Sequence, residues 1–169
     1  MSLSKPLHRR RVLAAAGAAA LAGCGFELRR APELRFQTIA LSGFGPRSPL
    51  AEELRTNIDA SRSSHVVEAL SQAQVVLESI ADVRERSVVA STAAGQVREL
   101  QLRTRFNFRL RAASGRELIP ATELLLSRDM SYSESTALAK EQEEALLFRS
   151  MQSDIVSQVM RRLAAVQAI

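Results

Sequence analysis

Tryptophan is missing from this 169-residue chain, tyrosine occurs once, and cysteine occurs once, at position 24. A single cysteine excludes an internal disulfide, a thiolate metal cluster and a redox pair, so the fold has to hold by packing alone. Histidine is almost as scarce. His8 lies near the start, and His65 sits in a polar Ser63-Ser64-His65 stretch that reads as surface. Neither zinc-type spacing nor a nucleophile with a nearby base is present, and the seven glycines form no phosphate-cradling loop. These absences argue against an enzyme. Acidic residues are also missing from the first 26 positions. The alanine-rich apolar run from Val12 to Ala22 would reach only about 16 Å as a helix, against a hydrocarbon core of about 30 Å.

That short run sits between two informative neighbours. Lys5, Arg9, Arg10 and Arg11 precede it, and Leu21-Ala22-Gly23-Cys24 closes it. A basic start, a short apolar run and small residues leading to a cysteine are the parts of a lipoprotein export signal. The reading is therefore a removed label over 1–23, a lipidated tether over 24–34 and a single domain over 35–169. Arg9-Arg10-Arg11-Val12-Leu13 only partly matches a twin-arginine signal, which leaves both export routes open. Gly25 follows the cysteine, where an aspartate would favour retention in the inner membrane, so the expected address is the outer membrane, facing the periplasm. Several acyl chains on Cys24, at about 0.8 kcal/mol per buried methylene, make such an anchor effectively permanent.

The label also explains most of the charge. The chain has 23 Lys and Arg against 18 Asp and Glu, and four of the bases precede Cys24. The mature part keeps 19 bases against 18 acids, a net charge of +1. Nothing in that balance points to nucleic acid. Beyond the covalent lipid on Cys24, no cofactor or metal is implied.

Arg35 to Leu41 is rich in β-formers and ends at Ser42-Gly43-Phe44-Gly45-Pro46, a strand followed by a loop. Ser48-Pro49 then opens a helix, with the hydroxyl as cap, and Leu50, Leu54 and Ile58 make its apolar face. His65-Val66-Val67 reads as a short edge piece. Gln74 to Arg84 reads as a strand through Val75, Leu77, Ile80 and Val83, with a hairpin tip at Thr92-Ala93-Ala94-Gly95. The clearest pattern follows. Leu100, Leu102, Thr104, Phe106, Phe108 and Leu110 alternate with Gln101, Arg103, Arg105, Asn107, Arg109 and Arg111, as a half-buried strand requires. After a turn at Ala113-Ser114-Gly115-Arg116, Leu118 to Tyr132 returns as another strand. A long helix from about Thr136 to Val166 closes the chain, with Leu147, Met151, Ile155, Val159 and Leu163 on one stripe. The expected fold is α+β, two helices on the apolar face of a roughly four-stranded mixed sheet.

Several short segments in this order resemble the LptE family of lipopolysaccharide-assembly lipoproteins. They are Cys24-Gly25-Phe26-Glu27-Leu28-Arg29, Val97-Arg98-Glu99-Leu100-Gln101-Leu102, Arg128-Asp129-Met130-Ser131-Tyr132, Ala137-Leu138-Ala139-Lys140-Glu141 and Arg162-Leu163. The resemblance implies two helices on a four-stranded sheet. It also implies a role as the plug in the lumen of the outer-membrane β-barrel LptD, in a 1:1 translocon that delivers lipopolysaccharide to the outer leaflet. The reading from residues alone also admits a free-standing periplasmic lipid-binding or transporter-auxiliary lipoprotein.

Lipopolysaccharide is a phosphate-rich amphiphile, so its handler needs Arg or Lys beside apolar surface. Lys140 is the lone lysine after the label and the first candidate, although its spacing also suits an i,i+4 pair with Glu144. Arg84, Arg86 and Arg98 flank the hairpin and are candidates for the same role. The tip itself, Ala90 to Gly95, carries no base, a departure from relatives of this family. Arg103, Arg105, Arg109 and Arg111 share one strand face, which serves either as a solvated surface or as a contact with the barrel wall.

Overall fold

A computed structural model describes residues 33–167. The export label and Cys24 lie outside them. The order of elements is β1 (Thr38–Ser42), α1 (Pro49–Asp59), β2 (His65–Val66), β3 (Val75–Ser91), β4 (Val97–Ala112), β5 (Glu117–Ser131) and α2 (Ala137–Ala164), with short 3₁₀ turns at Leu70–Gln72 and Glu134–Thr136. The strands form one sheet in the order β2-β1-β3-β4-β5. β1 runs parallel to both β2 and β3, and β3, β4 and β5 are antiparallel. The fold is thus the expected α+β arrangement, with five strands because the two-residue edge piece joins the sheet.

Both helices cover one face. Ser48 caps α1, its Oγ accepting from the Ala51 N–H at 3.3 Å, and Pro49 occupies the first helical position, where no N–H is needed. Leu50, Leu54 and Ile58 are buried, as are Met151, Ile155, Val159 and Leu163 of α2, while Leu147 is half-buried. Each fully buried side chain of this kind contributes about 1.5–3 kcal/mol, so α2 is a principal source of stability. All six alternating residues of β4, Leu100 to Leu110, face the helices and are buried. Thr104 is among them, and its hydroxyl has no hydrogen-bond partner among the described residues. Leu34 packs in the main core, with its N–H on Ser63 Oγ at 3.0 Å, so the packed domain takes in the last tether residue.

β3 departs from the expected pattern. It runs on to Ser91, well beyond Arg84. Ser79 pairs with Phe108 and Ala81 with Asn107, which leaves Ile80 as an extra residue, a β-bulge. Cross-strand partners share a face. Before the bulge, Val75, Leu77 and Ser79 point to the helices. After it the parity is inverted, and Asp82, Arg84, Arg86 and Val88 lie on the helix side, opposite Phe106, Thr104, Leu102 and Leu100. Ile80 is consequently exposed, and Val83 turns to the outer face.

β1 leaves β3 at the pair Ser42↔Glu78. Gly43, with φ +75°, makes the departure, passing so close to Ser79 that an added Cβ would stand 2.3 Å from its carbonyl oxygen. Beyond Glu78, β3 therefore has no strand on its β1 side among the described residues. Two apolar clusters result. A main core joins both helices to the sheet, and a smaller distal cluster of Leu100, Leu102, Met130 and Met151 lies towards the hairpin tip.

Candidate functional site

The inverted half of β3 sets up the site. Because α2 packs on β4 and β5 and α1 is only 11 residues long, a cleft of about 800 Å³ stays open along β3. Its lining includes Glu53, Arg84, Arg86, Glu144, Phe148 and Gln152. Arg84 Nη2 donates to Gln152 Oε1 at 2.5 Å, and its guanidinium lies 5.8 Å from the centre of the Phe148 ring. Gln152, 7% exposed, donates in turn to Glu53 Oε2 at 2.5 Å and to the Pro49 carbonyl at 3.2 Å. Ser153 Oγ donates to Glu53 Oε1 at 2.6 Å. This network joins β3, α1 and α2, and it fixes the depth at which Arg84 is held.

Further along, Arg86 Nη1 meets Glu144 Oε2 at 3.2 Å. Arg86 also walls a second pocket of about 300 Å³ with Val88, Val97, Leu100 and Tyr132. Lys140 Nζ lies 3.0 Å from Ser131 Oγ and 2.8 Å from Glu143 Oε2. Its partner is the i+3 carboxylate and not Glu144, because Glu144 is drawn to Arg86. Arg98 lies in a polar hollow with Ser133, Glu134 and Ser135 and makes no ion pair within 4.0 Å among the described residues. Arg86, Arg98 and Lys140, far apart in sequence, therefore gather at one pole, while Arg84 lies deeper in the cleft.

The outer face of the sheet carries the other arginines. Arg109 grips Glu78 with two bonds, of 3.0 and 2.8 Å, and Arg111 adds a third at 2.5 Å. The hydrogen bond from Arg109, helped by both positive charges, holds the Glu78 carboxyl below its ordinary value against the opposing effect of desolvation, and the same bond raises Arg109. Arg105 lies 3.9 Å from Glu85. Arg103 Nε donates to Gln101 Oε1 at 2.7 Å, and Gln101 in turn donates to Asp129 at 2.9 Å. Arg109 and Arg111 share one carboxylate, Arg105 has only the long contact with Glu85, and Arg103 makes no ion pair within 4.0 Å among the described residues. Among the described residues there is no group of three or more His, Cys, Asp or Glu side chains placed to hold a metal ion, and no helix is long and apolar enough to cross a membrane.

Sequence reasoning named Arg84, Arg86, Arg98 and Lys140 as candidates and did not find Glu53, Phe148 and Gln152, which line the cleft with Arg84 and Arg86. The local hint is that Leu77, Ile80 and Val83 do not alternate as a regular strand requires, and Ile80 is the extra residue of the bulge.

The family model described as LptE, lipopolysaccharide-assembly, matches residues 36–163, from the first core phenylalanine to the last buried leucine of α2. The chain belongs to the LptE family. It is a lipopolysaccharide-assembly lipoprotein of the outer membrane by that membership. Solved structures agree with the LptE assignment. Lipoprotein B from Nitrosomonas europaea is 29% identical, with a TM-score of 0.71 over 83% of this chain and 91% of that one. The rare lipoprotein B from Shewanella oneidensis is 23% identical, with a TM-score of 0.65 over 76% and 95%. A minor lipoprotein from Acinetobacter baumannii is 20% identical, with a TM-score of 0.64 over 78% and 93%. The latter two support the fold alone. Comparison with curated proteins finds no significant match.

Proposed function

We propose that this LptE-family chain is the plug of the translocon barrel. It is tethered by lipid on Cys24, seated 1:1 in the lumen of LptD, needed for assembly of that barrel, and binds lipopolysaccharide on its way to the outer leaflet. The observation that carries the reading is the family match over residues 36–163. The fold is suited to the role: a packed α+β domain whose outer sheet face presents Arg103, Arg105, Arg109 and Arg111 among acids, a polar surface of the kind a barrel lumen accepts. Arg103 and Arg105, which are not locked by close ion pairs as Arg109 and Arg111 are, are the better candidates for contacts with the wall. Arg86, Arg98 and Lys140, with Arg84 behind them, form the cationic pole for lipopolysaccharide phosphates. The role requires shape, surface and an anchor, and no bond-making group.

Extraction of the native membrane in mild detergent and purification on this chain tests the proposal. A large outer-membrane β-barrel protein is expected in equal amount, and depletion of the chain is expected to lower the level of that barrel. Recovery of the chain alone, with barrel levels unchanged, would instead mark it as a free-standing periplasmic binding lipoprotein.

A further inference from the structure

The pocket walled by Arg86, Val88, Val97, Leu100 and Tyr132 has a chemistry that ion pairing does not account for. Its origin lies in strand register. Val88 pairs with Leu100 and so points to the helix side, but α2 packs on β4 and β5 and leaves Val88 54% exposed. Behind the pocket, the distal cluster carries Val97, Tyr132, Leu147 and Phe148 only partly covered. An apolar layer left open in this way is a surface from which water is favourably displaced.

Cationic groups stand at its rim: Arg86 is part of the wall, and Arg98 lines the adjoining hollow that shares Val97. An apolar slot with a cationic rim is complementary to both halves of an anionic amphiphile. We propose that this pocket takes one acyl chain of the bound glycolipid, with its phosphates at Arg86 and Arg98. This rests on the lipopolysaccharide reading above and adds the tail as a recognised element. A volume of about 300 Å³, at the bottom of the range of ligand sites, suits a single chain and leaves the others outside.

Immobilised full chain, titrated with lipopolysaccharide and with the same material stripped of its acyl chains, provides the test. Val88→Glu places a carboxylate in the pocket. Val89→Glu is the control, since Val89 is 47% exposed, is the extra residue of a second bulge, and does not line the pocket. The wild-type chain is expected to prefer the intact lipid by roughly tenfold. Val88→Glu abolishes that preference, and Val89→Glu keeps it. Equal binding of intact and stripped lipid by the wild-type chain overturns the tail site while the lipopolysaccharide reading stands, and a preference surviving in Val88→Glu overturns it as well. Binding of neither ligand overturns both.

Discussion

Lys140 is held in place by its own neighbours. Its ammonium is held by a hydroxyl and one carboxylate, and its side chain is only 19% exposed. It is therefore pre-positioned for the phosphate contact proposed above. The pair with Glu143 is of the i,i+3 surface type, worth about 0–1 kcal/mol, so its loss affects stability little. Lys140→Glu is expected to weaken lipopolysaccharide binding by roughly tenfold, since a charge-assisted contact is replaced by repulsion. The melting temperature should hardly move. Titration alongside thermal melting checks both, and unchanged binding removes Lys140 from the site. Which residues are basic was plain in the sequence. Which acid each base meets was not, because the Glu78 and Glu144 pairings depend on neighbouring elements and not on local spacing.

At the level of elements, β4 was legible and β3 was not, for a physical reason. β4 lies between two antiparallel neighbours, with one face packed and one wet, so its alternation survives unbroken for most of its length. β3 changes face at Ile80, and a single inserted residue turns a basic segment from the outer surface towards the helices. Period-two reasoning cannot follow that change unless the insertion is recognised. The exit of β1 was legible as a loop, but its tightness was not. Gly43→Ala is expected to be costly, because a left-handed backbone alone costs about 1–3 kcal/mol and the new Cβ would meet the Ser79 carbonyl. Gly95→Ala, at φ +79° with open space around it, should cost only the backbone part. The denaturant midpoints of the two variants should differ accordingly, and equal midpoints would refute the close approach as the cause.

At the scale of the molecule, α2 is 28 residues long, about 42 Å, and spans both apolar clusters. Among the described residues the main core buries eighteen side chains and the distal cluster four. Local opening follows such differences. Amide exchange along β4 is therefore expected to be faster at Leu100 and Leu102 than at Phe106 and Phe108, although all four are buried. Uniform protection along the strand would contradict this division. The smaller cluster lies at the end that carries Arg86 and Arg98, so the proposed binding end is the one expected to adjust while the rest stays fixed. The bare flank of β3 past Glu78 has a consequence for solubility. A straight ribbon of unpaired amides would template stacking by a neighbouring copy. Here the bulges at Ile80 and Val89 interrupt that ribbon, and Arg84, Glu85 and Arg86 set charge between them, both of which disfavour edge-to-edge stacking.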